Sequence, residues 1–353
     1  MTMRVRALVS SCLIIAAVST APAQTGGRLV SDTLHAVSLE GNKYGDNPTR
    51  AMFVYLPPGY DSSQATRYPT VYLLHGFQTS ERSWVRGYAG FSVKPAMDSL
   101  IAAGAVKPMI IVMPNGANRL GGSFYTNSEA TGNWDDYISR ELVAYIDHKY
   151  STIARAGARG LAGHSMGGYG AFALGLRHGG DIYGAVYALS GCCTHFSSNL
   201  GPISGPIWES LARLTSLADA RDLPFLTQVY LALSAAFAPN VNKPPLYVDL
   251  PFEEKAGRWR RIDAVEEEWT EHAPQDMILA DGDHLRRLRA FAFDVGTRDE
   301  LVAAATLDSM DVALTRARIR HTYEKYDGTH TSGVGLRMIT KVLPFFSRAL
   351  DAQ

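Results

Sequence analysis

Gly160-Leu161-Ala162-Gly163-His164-Ser165-Met166-Gly167-Gly168-Tyr169 is the stretch on which the reading of this 353-residue chain turns. The short apolar run Gly160 to Ala162 predicts a strand and Tyr169 to Leu176 a helix, so Ser165 falls on a tight turn between them in a Gly-x-Ser-x-Gly frame. Glycines at 163 and 167 suit that turn, because a sharp strand-to-helix reversal leaves no room for side chains two positions either side of the serine. Such a turn lifts the Ser165 Oγ clear of the sheet. It also aims the Met166 N–H, at the helix start, toward the place where an oxyanion forms during acyl transfer.

Outward from this turn, strands alternate with helices. Thr33 to Leu39 and Arg50 to Leu56 predict an antiparallel opening pair, the second ending at Pro57-Pro58-Gly59-Tyr60. Tyr72 to Leu74, Met109 to Met113, Ala185 to Leu189 and Ala290 to Val295 are short apolar runs of the kind found in strands buried on both faces, and Thr322 to Tyr326 predicts a last strand. Helical spacing covers Val93 to Ala103, Trp134 to Tyr150, Glu300 to Ile319 and Val334 to Leu350. The class is α/β, a mainly parallel central sheet with helices on both faces. The rhythm breaks between Thr194 and Leu288, far more chain than a normal connection needs. That segment holds helical pieces and Trp208, Trp259 and Trp269, and predicts a mostly helical cap inserted in a single domain spanning residues 24–353.

A serine hydroxyl needs an imidazole base, and the base needs a carboxylate to fix its tautomer. In a doubly wound hydrolase the two follow the serine in the order acid, histidine, at the C-terminal ends of later strands. Asp299, in Gly296-Thr297-Arg298-Asp299, and His330, in Asp327-Gly328-Thr329-His330, meet that requirement. Asp294 is the alternative acid, still inside its predicted strand. His284 precedes the acid and His321 starts a strand, so neither keeps the order. The second oxyanion donor is expected from the loop His75-Gly76-Phe77, where Gly76 permits an unusual turn and the Phe77 N–H can face Ser165; His75 is expected to shape that loop.

These residues together resemble the esterase D-like branch of the α/β hydrolases, a group that includes feruloyl and acetylxylan esterases, S-formylglutathione hydrolases, enterochelin esterase-like proteins and bacterial mycolyltransferases. The resemblance runs from about Val37 to the C-terminus. It rests on Val54-Tyr55-Leu56-Pro57-Pro58-Gly59-Tyr60, Tyr68-Pro69 with Tyr72 to Gly76 and Trp84, Gly122-Ser123-Phe124-Tyr125 with Trp134, Gly163 to Gly168, Gly296 to Asp299, and Gly328 to His330. It implies an α/β-hydrolase fold, a triad of Ser165, Asp299 and His330, and oxyanion donors at Phe77 and Met166. The implied activity is carboxylic-ester hydrolysis without cofactor or metal. Acyl transfer to an alcohol by the same machinery is the alternative, and a non-catalytic binding protein on the same fold a third reading.

The chain carries 34 Lys+Arg against 34 Asp+Glu, which leaves no electrostatic footprint for nucleic acid. Residues 1–23 read as a secretory signal: Arg4 and Arg6, then the apolar stretch Ala7 to Thr20, then the small-x-small site Ala21-Pro22-Ala23. Lipidation at Cys12 is the rival reading, disfavoured because the apolar stretch runs past it. Cleavage after Ala23 leaves 32 basic and 34 acidic residues and no membrane span in the mature chain. The expected location is secreted or periplasmic, which argues against S-formylglutathione as substrate.

Adjacent Cys192 and Cys193 are expected to be small, semi-buried side chains at a strand end, since adjacent cysteines bridge only through a strained ring. Asp281 and Asp283 lack the spaced oxygens of a calcium loop and read as a solvated turn. The cap's aromatics, among them Trp208, Phe237, Tyr247, Phe252 and Trp259, are expected to form mostly the cap's own core, with one or two of its aromatics lining an acyl pocket over Ser165.

Overall fold

The computed structural model describes residues 26–196, 205–280 and 282–352. The signal segment, Cys12 and Asp281 lie outside the described residues. Eight strands form one sheet: β1 (Arg28–His35), β2 (Thr49–Leu56), β3 (Thr70–Leu74), β4 (Ile110–Pro114), β5 (Arg159–His164), β6 (Ala185–Leu189), β7 (Ala290–Gly296) and β8 (Thr322–Tyr326). Their spatial order is β1-β2-β4-β3-β5-β6-β7-β8. From β4 to β8 all neighbours are parallel, while β1 pairs antiparallel with β2 and β2 with β4. This is the α/β-hydrolase arrangement.

Every residue of β3, β4, β5 and β6 is buried, because helices cover both faces and leave no solvent side to alternate toward. One face carries the helices Val93–Ala102 and 334–349, whose Met97, Met338 and Phe346 pack with Val71, Leu73 and Ile111. The other carries helix 134–149, Met166–His178 and Ala304–Arg316, whose Ile138, Phe172 and Leu307 belong to the cluster of Tyr72, Leu74 and Val112.

Three sequence expectations shift. The first strand starts earlier and stops at His35, because the Val37 and Ser38 N–H groups both donate to the Glu141 carboxylate at 2.8 Å and turn the chain away from the sheet. The helix expected from Glu300 begins only at Ala304, since Asp299 Oδ1 accepts the N–H groups of Leu301 and Val302 and holds that stretch as a loop. Helices 134–149 and 334–349 each contain a wide π-helical turn, Tyr137–Leu142 and Met338–Val342.

Between β6 and β7 the described residues form the helices Pro206–Ala212, Phe225–Phe237, Asp263–Glu271, Pro274–Ala280 and Asp283–Arg286. They also form an antiparallel hairpin, Phe252–Lys255 with Arg258–Arg261, that the helical reading did not anticipate. Phe237 ties this segment to the core, with ring centroids 5.9 Å from Phe124 and 5.6 Å from Tyr169. Among the described residues no helix is long and apolar enough to cross a membrane.

Candidate functional site

Because β3, β5, β6, β7 and β8 run parallel and adjacent, the loops after their C-terminal ends share one edge of the sheet. Those loops carry Phe77, Ser165, Cys192 and Cys193, Asp299 and His330.

Ser165 follows β5 directly, at φ 60° and ψ −118°, and Met166 opens the helix that comes next. Backbone crowding makes the flanking glycines necessary. A Cβ on Gly163 would sit 2.3 Å from the Gly167 carbonyl oxygen, and one on Gly167 would sit 2.4 Å from that of Leu74. The Ser165 N–H is spent on the Leu189 carbonyl at 3.0 Å, whereas the Met166 N–H, in the first turn of its helix, has no carbonyl four residues back within that helix.

Gly76 lies beside the serine; a Cβ there would be 3.5 Å from that of Ser165. Its carbonyl is held by two donors, His75 Nδ1 and Thr79 Oγ1, both at 2.8 Å. The Gly116 N–H donates to His75 Nε2 at 2.8 Å, which places the His75 proton on Nδ1. In a trans peptide the carbonyl and the following N–H point opposite ways, so fixing the Gly76 carbonyl also fixes the direction of the Phe77 N–H. His75 thus shapes this loop, as expected of it.

Asp299 and His330, 31 residues apart, meet: His330 Nδ1 stands 2.9 Å from Asp299 Oδ1 and 3.0 Å from Oδ2, with both side chains buried. Burial alone would raise the Asp299 carboxyl. The His330 hydrogen bond and charge, with the Val302 and Leu301 N–H groups, hold it below the ordinary carboxylate range. The His330 backbone is clamped at both ends: its N–H donates to Glu300 Oε2 at 3.1 Å, and its carbonyl accepts from His164 Nε2 at 2.7 Å. His164 receives the Tyr88 hydroxyl on Nδ1 at 3.0 Å, and its ring lies 4.7 Å from that of His330. Sequence reading missed His164 in this role, although it adjoins the serine.

The alternatives are placed elsewhere. Asp294 is fully buried against Tyr187 OH at 2.7 Å and Arg337 Nε at 2.5 Å. His321 bonds the Ile319 carbonyl and Asp311, and His284 sits against Gly179 and Arg287.

Ser165 opens into a cleft of about 300 Å³. Phe77, Phe124 and Met166 are among its lining residues, and Phe196, Tyr230 and Leu233 line it from the segment between β6 and β7. Phe225, Leu226 and Leu301, each at least 40% exposed, stand among its lining residues and give it an apolar mouth. Aromatics of the inserted segment do line the pocket, three of them where one or two were expected: Phe196, Phe225 and Tyr230, while none of Trp208, Phe237, Tyr247, Phe252 and Trp259 is among its lining residues. Trp208 packs on Phe252 and Trp269, Phe237 on Trp269, and Tyr247 on Tyr44.

Burial keeps three histidines neutral. It lowers His75 to about 4, His164 to about 3 with help from the His330 charge, and His272 to about 4 with help from Arg177. Each folded value lies below the unfolded 6.5, so from pH 6.5 downward the unfolded chain binds protons that the folded chain refuses. Asp294 works the other way: burial raises its carboxyl to about 6, so there the folded chain takes the proton first. Three groups against one give a net loss of stability between pH 6.5 and 4.5, on the order of a few kcal/mol. Thermal denaturation across this range is expected to show a falling Tm, and a flat or rising Tm would contradict the buried neutral histidines.

The family model described as "Putative esterase" matches residues 47–334. An endo-1,4-beta-xylanase/feruloyl esterase of Xylanibacter ruminicola is 36% identical over 142 residues, covering 39% of this chain and 19% of that protein. An esterase of Mycobacterium tuberculosis is 34% identical over 158 residues, covering 43% of this chain and 29% of that one. Against the structure of a ferulic acid esterase the TM-score is 0.63 at 23% identity, over 92% of this chain and 99% of that chain, a likeness of fold. The chain thus spans less than a third of the length of either curated relative.

Proposed function

The chain belongs to this esterase family, and on that premise we propose that it is an exported serine esterase hydrolysing carboxylic esters through an acyl-enzyme. Ser165 Oγ attacks the ester carbonyl. His330 Nε2 takes its proton and returns it to the leaving alcohol, while Asp299 keeps the other ring proton on Nδ1 and balances the imidazolium. The Met166 and Phe77 N–H groups hold the oxyanion. Water, activated by His330 in turn, then releases the acid.

The observation that carries this reading is the bidentate approach of Asp299 to His330 Nδ1, at 2.9 and 3.0 Å, on the same sheet edge as the Ser165 turn. A histidine oriented by a buried carboxylate leaves its other nitrogen for proton transfer. The segment 194–288 contributes one wall of the cleft, and we take it as a cap that selects the acyl group. The cleft's apolar walls favour acyl groups larger than acetyl, with any aromatic acid among them, consistent with the feruloyl esterase name of one relative. Export rests on residues 1–23, whose arginines, apolar stretch and Ala21-Pro22-Ala23 site form a cleavable signal.

Exported protein, checked by mass spectrometry to begin near Gln24, is expected to turn over a panel of p-nitrophenyl and feruloyl esters. Its kcat/KM should rise about tenfold or more from acetyl to the larger apolar acyl groups. Product analysis with added alcohols separates hydrolysis from transfer. Absence of turnover on every ester would overturn the reading.

A further inference from the structure

Cys192 and Cys193 leave the end of β6 and enter the wall of the Ser165 cleft, where both are lining residues. Consecutive side chains of an extended segment point to opposite faces. Here Cys193 takes φ 60°, a left-handed conformation rare for cysteine, and that break in the alternation brings the two sulfurs within 2.9 Å of each other. Both are free thiols, half-buried, with Cys193 Sγ–H donating to Cys192 Sγ. Thr194, His195 and Phe196, the next three residues, line the same cleft, so any change at the cysteines is carried straight into its wall.

We propose that Cys192 and Cys193 are a dithiol modification site that takes an external low-molecular-weight disulfide, and that its closure to a vicinal disulfide changes which acyl groups the cleft accepts. The second half rests on the esterase reading; the first does not. The hydrogen bond marks Cys192 as the acceptor sulfur and the first to attack. Its sulfur, having given up its proton, displaces one thiol from the external disulfide and forms a mixed disulfide. Cys193 then loses its proton, and its sulfur attacks the Cys192 sulfur and expels the second thiol. Two S–H bonds are lost and one S–S bond is gained, while the external disulfide is reduced to two thiols. Closure draws the sulfurs from 2.9 Å to about 2.05 Å. That movement pulls the stretch leading to Phe196 away from its place in the wall. Burial pushes the Cys193 thiol up, so the second step quickens with rising pH.

Two probes test this on protein first reduced and desalted. Phenylarsine oxide bridges two neighbouring thiols with loss of water, and oxidised glutathione supplies the external disulfide. Intact mass and peptide mapping are expected to show one arsenical spanning Cys192 and Cys193, and with oxidised glutathione the loss of two hydrogens between the same residues. Either treatment should lower kcat/KM on the largest ester of the panel about tenfold while acetyl ester turnover stays within about threefold. Excess dithiothreitol, which reduces the disulfide and draws off the arsenical by thiol exchange, should restore the first value. The double variant Cys192→Ser, Cys193→Ser should take neither modification and be indifferent to both reagents.

An arsenical on one cysteine only, stable mixed disulfides with glutathione, or no modification would overturn the dithiol site. Modification with equal losses on small and large esters, or with no loss on either, would overturn its role in the acyl wall. If unmodified protein turned over no ester, the esterase reading would fail with the acyl-wall claim. The mass measurements would still decide the thiol site, in wild-type protein and without need of the variant.

Discussion

Replacing Ser165 with alanine is expected to lower ester turnover by on the order of 10⁴ to 10⁶ while leaving the fold intact. The size of the loss follows from the proposed division of labour. Without Oγ there is no acyl-enzyme, and His330 has no proton to take. What remains is substrate binding and the polarising effect of the Met166 and Phe77 N–H groups on a bound carbonyl, worth about 10³ to 10⁴ over the reaction in water and far below the intact triad. The fold should tolerate the change because the serine's structural contribution is its backbone. Its N–H donates to Leu189 and its carbonyl accepts from Tyr169 at 2.9 Å, and alanine keeps both. Alanine also meets the φ of 60° with the same Cβ that serine carries. Initial rates on the best ester of the panel, with circular dichroism as the check on folding, decide it. More than a few per cent of wild-type kcat in the folded variant would remove Ser165 from the reaction.

What could be read in the sequence was whatever backbone sterics or topology dictates. Gly163 and Gly167 declare the turn because other residues collide with backbone there. The apolar runs at 72–74, 109–113 and 185–189 declare buried parallel strands within a residue or two, because burial on both faces removes alternation. Asp299 and His330 could be placed on one edge because a parallel sheet sends the loops after its strands to the same side. The meeting of the two side chains at 2.9 Å required the structure.

What escaped depends on packing angles that no local pattern records. A buried histidine in a strand looks the same in sequence whether it faces the core or, like His164, reaches the carbonyl of His330 from 166 residues away. The cleft-lining Phe225 and Tyr230 sit on a helix of the inserted segment whose orientation is set by Phe237 against Phe124 and Tyr169. Helical periodicity gives that helix's apolar residues without saying which of them face the serine. The cysteine pair was legible as semi-buried at a strand end. That both thiols reach the cleft depends on the φ of Cys193, which its residue type gives no reason to expect.

Asp299→Asn is expected to lower kcat by about 10³ to 10⁴, with the thermal midpoint little changed. Oδ1 of Asp299 accepts the Leu301 and Val302 N–H groups, and an asparagine oxygen can keep both bonds and so keep the loop. That assignment leaves the amide NH₂ where Oδ2 was, 3.0 Å from His330 Nδ1. An NH₂ there donates to Nδ1 and drives the ring proton to Nε2, the nitrogen that has to accept from Ser165. The variant therefore holds the right geometry and the wrong tautomer, and no charge balances the imidazolium. Asp294→Asn is expected to do the converse. Asp294 faces Arg337 and Tyr187 in a fully buried site, and with its charge gone Arg337 keeps, among the described residues, Glu324 alone as a carboxylate partner, at 2.9 Å. Leaving a buried guanidinium half-paired costs on the order of 3 kcal/mol of stability. The chemistry at His330, which Asp294 does not orient, should stay within about tenfold of wild type. Measured side by side, kcat falls in one variant and Tm in the other. If Asp294→Asn instead abolished turnover at an unchanged Tm while Asp299→Asn remained active, the carboxylate that orients His330 would have to be Asp294.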